Sequence, residues 1–80
     1  MDWTNFITAD KDVLAGKPRI KGTRLSVELI VGRLADGWSE AEVLENYPSL
    51  TKKSLQAAHA YTYELMNTNA VYTAPHSKPI

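Results

Sequence analysis

Three times in succession the chain sets one apolar residue on each side of a helix-starting turn: Leu25 and Ile30, Trp38 and Val43, Leu50 and Leu55. Each pair has the spacing of a hydrophobic staple, in which the residue before the N-cap packs on one in the first turn and fixes the angle of entry. Inside each pair stands a capping residue, Ser26, Ser39 or Thr51, whose side-chain oxygen suits an orphan N–H of that turn. The pattern predicts three helices, at about 26–36, 39–47 and 51–66. Each carries an apolar stripe of near-3.6 period. The stripes are Val27, Ile30, Val31, Leu34 and Ala35; then Val43, Leu44 and Tyr47; then Leu55, Ala58, Thr62, Leu65 and Met66.

The helix ends are marked as clearly. Gly37 stands where a C′ glycine takes the left-handed conformation. Glu42, three residues after Ser39, completes a capping box. Pro48 cannot continue the second helix and biases Tyr47 away from helical dihedrals. A short helix, a tight turn and a longer helix make the outline of a helix-turn-helix.

Upstream, residues 2–9 read as a short strand around Phe6, Ile7 and Thr8 with Trp3 as anchor, and residues 10–16 as a polar loop. Pro18 bars the stretch from Gly16 to Arg24 from a central strand but permits an edge strand or a two-stranded ribbon. Alternation then puts Pro18 and Ile20 on one face and Lys17, Arg19 and Lys21 on the other. The expected fold class is mainly α: a three-helix helix-turn-helix domain over residues 1–66 with a short N-terminal β-ribbon. Asn67, Thr68 and Asn69 break the period, and a flexible tail is expected over 67–80.

Eighty residues make one small domain that buries roughly 60–65% of its unfolded surface, so its core is thin. With no cysteine there is no disulfide to add stability, and a reducing cytoplasm is the expected location. No signal peptide and no membrane-spanning run are read, so no membrane partner is expected. A homodimer is expected instead, its N-terminal segments pairing through Phe6, Ile7, Pro18 and Ile20. The net charge is zero but unevenly laid out. Lys17, Arg19, Lys21 and Arg24 crowd one stretch without an acid, whereas five acids between Glu28 and Glu45 face only Arg33.

No catalytic constellation, phosphate-cradling glycine loop or metal-ligand spacing is present, so no enzyme, cofactor, metal or small-molecule substrate is expected. His59, beside the inward stripe, reads as a packed or interface residue, and Glu40, Glu42 and Glu45 as a solvated face. Lys52 and Lys53 are more informative. They occupy the first turn of the last helix, where the macrodipole disfavours cations by ~0.3–1 kcal/mol each. A phosphate nearby would reverse that sign. Ser54 and Gln56 would then lie where recognition-helix residues reach base edges.

The segment Gly16-Lys17-Pro18-Arg19-Ile20-Lys21-Gly22-Thr23-Arg24, followed by Leu25-Ser26-Val27, resembles the signature of a bacterial family named for its domain of unknown function, DUF433. The likeness continues through Gly37-Trp38-Ser39, Glu45-Asn46-Tyr47-Pro48-Ser49-Leu50-Thr51 and Ala57-Ala58, and so covers about residues 7–66. His59 departs from it, since an aliphatic residue is usual there. The resemblance implies a homeodomain-like helix-turn-helix, usually dimeric, acting as an antitoxin encoded beside a PIN-like nuclease toxin. Two readings follow. One is a dimeric regulator that binds its operator through Thr51, Lys52, Lys53, Ser54 and Gln56, with Arg19, Lys21 and Arg24 on phosphates, and neutralises the toxin. The other is a protein-only interaction module of the same fold.

Overall fold

Each helix begins where a side-chain oxygen receives its first N–H groups. The structure is a computed structural model and describes residues 1–68. Ser26 Oγ accepts from the Leu29 amide and opens α1 (Val27–Ala35). Ser39 opens α2 (Glu40–Asn46) with a complete capping box: Ser39 Oγ accepts from the Glu42 amide at 3.1 Å, and Glu42 Oε1 from the Ser39 amide at 2.8 Å. At the head of α3 (Lys52–Thr68), Thr51 Oγ1 accepts from the Ser54 amide at 3.1 Å. α3 runs through Asn67 and Thr68, past the break expected there, because single Asn and Thr residues disfavour a helix only mildly. The rest of the expected tail, 69–80, lies outside the described residues.

α1 closes as a Schellman motif. Gly37, at φ 101°, donates to Leu34 O, and the Trp38 amide reaches back to Arg33 O. The Trp38 ring then lies under the Arg33 guanidinium, 5.2 Å from centroid to carbon, and stacks on Tyr47 at 6.3 Å. Arg33 Nε also donates to the Tyr47 hydroxyl at 3.1 Å. Trp38 is therefore half-buried in an aromatic and guanidinium stack that packs against the core cluster. Pro48 ends α2 as expected: Tyr47 leaves helical dihedrals at φ −126° and ψ 76°, and its carbonyl accepts from the Leu50 amide to close the turn into α3.

The N-terminal segment is less extended than its composition suggests. Asp2 caps a single helical turn, Trp3–Asn5, before β1 (Ile7–Thr8). β1 pairs antiparallel with β2 (Arg19–Ile20), Ile7 opposite Ile20. The far edge of β2 is also occupied, since Ile20 donates to Leu25 O and Val27 to Pro18 O. A turn with Gly22 at φ 79° carries β2 back into α1. Ile7 and Ile20 are buried in the chain's own core, and Phe6 and Pro18 are half-buried. The apolar side chains assigned to a dimeric ribbon are thus already covered within one chain.

The expected polar loop contains Leu14, Ala15 and Gly16 in succession at φ 53°, 55° and 84°. Left-handed backbone costs an L-residue roughly 1–2 kcal/mol. Ala15→Gly should therefore raise stability by about 0.5–1 kcal/mol, once the greater entropy of glycine in the unfolded chain is subtracted. A urea midpoint that falls would contradict this backbone.

α1 packs on both α2 and α3, and the Trp3–Asn5 turn lies on α3. The core is Ile7, Ile20, Val27, Ile30, Val43, Leu50, Leu55, Ala57 and Ala58. The stripe on α3 has the right period but is covered only as far as Thr62. Leu65 and Met66, read as inward, are 46% and 65% exposed. Among the described residues no helix is long and apolar enough to cross a membrane.

Candidate nucleic-acid interface

α3 divides its first turns between a buried and an open side. Ser54, Leu55, Ala57 and Ala58 are buried, while Lys52, Lys53, Gln56 and His59 are exposed. Lys52, Gln56, His59 and Tyr63 follow at helical intervals and form one outward stripe, with Lys53 beside its start. The first turn carries no acid. No described carboxylate lies within ion-pair distance of Lys52 or Lys53. Two solvated cations therefore crown the positive end of a long helix.

Ser54 does not join them. It is 5% exposed, and its hydroxyl lies 3.3 Å from the Thr51 amide, which donates to it, and 3.1 Å from the Thr51 hydroxyl. Its own amide donates to Thr51 Oγ1. The two residues form a reciprocal cap with serine where a capping box usually has Glu or Gln. Buried and committed to that cap, Ser54 is not available to a base edge. Thr51 keeps an exposed position at the helix start while its hydroxyl caps.

His59 is exposed rather than packed on the inward face, and its Nε2 lies 3.4 Å from Glu40 Oε2 on α2. This contact spans the two helices of the outlined helix-turn-helix from their solvent side. Tyr63, which the periodicity gave no role, completes the outward stripe; its place four residues after His59 was the available signal.

The basic ribbon splits in two. Lys21 and Arg24 are exposed and without an ion-pair partner among the described residues. Arg19 folds inward: Nη1 donates to Thr23 O at 3.1 Å, Nη2 lies 3.9 Å from Asp10 Oδ2, and the side chain is 14% exposed. Thr23 braces the same turn by donating to Ile20 O and accepting from the Leu25 amide. Arg19 thus holds the β2 turn and is withdrawn from the phosphate-contact set. Lys17 reaches Glu28 on α1 at 2.7 Å, and that hydrogen bond holds the Glu28 carboxyl below the usual carboxylate range, with both groups largely in water.

These placements leave Thr51, Lys52, Lys53 and Gln56 together at one end of α3, with Lys21 and Arg24 on the ribbon. Against known proteins, residues 7–62 match the family described as protein of unknown function DUF433. A crystal structure of a DUF433 member from Anabaena variabilis superposes with a TM-score of 0.72 at 38% identity, covering 79% of this chain and 61% of that one. The uncharacterized protein y4eO of Sinorhizobium fredii (strain NBRC 101917 / NGR234) is 34% identical over 56 residues, or 70% of this chain. The chain spans only a quarter of that relative's length, 25%. With the family match spanning residues 7–62, the chain belongs to the DUF433 family.

Proposed function

We propose that this chain is an antitoxin-like regulator with a homeodomain-like helix-turn-helix that binds its operator as a dimer and neutralises a PIN-like nuclease. In this reading it works by recognition and not by catalysis. α3 is the recognition helix: Lys52 and Lys53 meet phosphates at its N-terminus, Gln56 faces a base edge, and Lys21 and Arg24 add phosphate contacts. The observation that carries it is the pair of exposed lysines at the N-terminus of α3, without an ion-pair partner among the described residues. There they disfavour the free protein's helix and favour a phosphate complex. The α2–α3 turn, capped on both sides, supplies the rigid mount such a helix needs.

A gel shift tests this, using a duplex from the region upstream of the gene, with and without a co-expressed partner, at two salt concentrations. Lys52→Ala and Lys53→Ala should weaken all sequences alike, each lowering the salt slope by about one per half-site. Gln56→Ala should lose ~1–3 kcal/mol of discrimination at one base position with non-specific binding nearly intact. If neither the protein nor its complex prefers that duplex over random DNA, the operator reading fails. The protein-only module then becomes the better account, and the net charge of zero is the observation that favours it.

A further inference from the structure

Midway along the outward stripe of α3 stands the one kind of side chain that ordinarily changes charge between about pH 5 and 8. His59 lies between Gln56 and Tyr63 on that stripe, and its Nε2 is 3.4 Å from Glu40 Oε2 at the start of α2. The side chains are 54% and 58% exposed, so the pair faces solvent and is open to a ligand. The other charges of the neighbouring elements are engaged elsewhere or stand further off. On α2, Glu42 is held in its capping box and Glu45 lies beyond ion-pair distance. On α1, Glu28 pairs with Lys17, Arg33 turns to Tyr47, and Asp36 is beyond that distance too. In the N-terminal turn Asp2 accepts from Thr4. On α3 itself Glu64 accepts from Trp3 Nε1, while Lys52 and Lys53 lie about two turns back from His59.

We infer that His59 is a proton-linked phosphate contact of the α3 surface, and that Glu40 is the acid it neutralises when a phosphate backbone approaches. This rests on the proposed reading of α3 as the nucleic-acid surface. With a neutral imidazole the pair carries one net negative charge in the middle of the stripe, and a phosphate is repelled there. With a protonated imidazole the pair is neutral, and an N–H of the ring is a charge-assisted donor for a phosphate oxygen. The complex therefore favours the protonated form. By reciprocity, affinity is highest at low pH and is lost as pH rises through the titration of His59. Lys52 and Lys53 keep their charge throughout this range, so part of the surface is constant and part is switched.

The test is binding of a random-sequence duplex at low ionic strength, at about pH 6 and about pH 8, a window in which histidine titrates and ordinary carboxylates do not. The full chain should bind roughly three- to tenfold more tightly at the lower pH, within the limit of tenfold per pH unit for one linked proton. His59→Gln should flatten the profile to within about twofold, and His76→Gln, at the other imidazole, should leave it unchanged. His59→Lys should bind at both pH values about as tightly as the wild type does at the lower one. Glu40→Gln should tighten binding at the higher pH by roughly two- to fivefold, since a like charge facing the phosphates is removed. Helical circular dichroism checks that each variant is folded, and the opposite directions expected of His59→Gln and His59→Lys do not both arise from unfolding. A flat wild-type profile, a profile that survives His59→Gln, a Glu40→Gln variant no tighter than wild type, or no duplex binding at either pH would each overturn the inference. A pH-linked rise on random duplex without preference for the operator would sink the operator reading and leave this one standing. Operator preference with a flat profile would do the reverse.

Discussion

Leu55→Ala should lower the melting midpoint by roughly 15–25 °C and leave little folded protein at physiological temperature. Leu55 is 1% exposed and sits where α3 meets the body, among Val43, Leu50 and Ile30 of the same core cluster. Removing its branched end takes away the transfer energy of the lost methyl groups and leaves a cavity, together ~2–5 kcal/mol. Typical domains have ~5–15 kcal/mol in total, and a core of this size belongs near the low end. In a domain this small each kcal/mol moves the midpoint by ~4–8 °C, and the middle of both ranges, ~3.5 kcal/mol at ~6 °C each, gives about 20 °C. Glu45→Ala, at an exposed position on α2, should stay within a few degrees of wild type and serves as the control. A Leu55→Ala melt as close as that would mean that α3 does not seat as described.

Local backbone chemistry is what the sequence made legible. Ser26, Ser39, Thr51, Gly37 and Pro48 each act through atoms within about five residues, so helix starts and stops need no knowledge of the rest of the molecule. The errors share another origin. Ser54 lies at the third helical position, where a capping partner belongs, but a serine there does not announce itself as glutamate does. Its burial depends on α3 seating against the body. Arg19 has the outward parity of its ribbon neighbours, and only the closure of the 20–23 turn beside Asp10 draws its guanidinium in. Trp38 packs against the core cluster in keeping with its staple spacing, but its contacts with Arg33 and Tyr47 come from the Schellman closure of α1 and not from that spacing. Leu65 and Met66 show the limit of periodicity most directly. Period tells which face of a helix is apolar, and the length of the neighbouring elements decides how far along that face is covered. The site was half legible for the same reason: exposure of Lys52, Lys53 and Gln56 follows from helical phase, while the withdrawal of Ser54 and Arg19 follows from contacts.

Reversing both charges at the head of α3, Lys52→Glu with Lys53→Glu, should move stability and binding in opposite directions. At these first two helical positions a carboxylate meets the positive end of the macrodipole, so the cost of two cations is removed and a gain of similar size replaces it. The folded state should gain about 1–4 kcal/mol at low ionic strength, seen as a midpoint raised by roughly 5 °C or more. The Thr51–Ser54 cap is untouched, so the helix start keeps its geometry. On the proposed operator reading, affinity should fall by roughly 10²–10³-fold at physiological salt, because that reading gives each half-site two phosphate contacts that become repulsions. The stability gain should shrink as salt is raised, since the dipole interaction is screened. Opposed signs separate this result from simple unfolding, which would lower stability and affinity together. A variant that melts higher and still binds the operator with wild-type affinity would remove α3 from the nucleic-acid interface. A variant that melts lower would show instead that the two lysines stabilise the free fold, and the argument from unfavourable placement would be withdrawn.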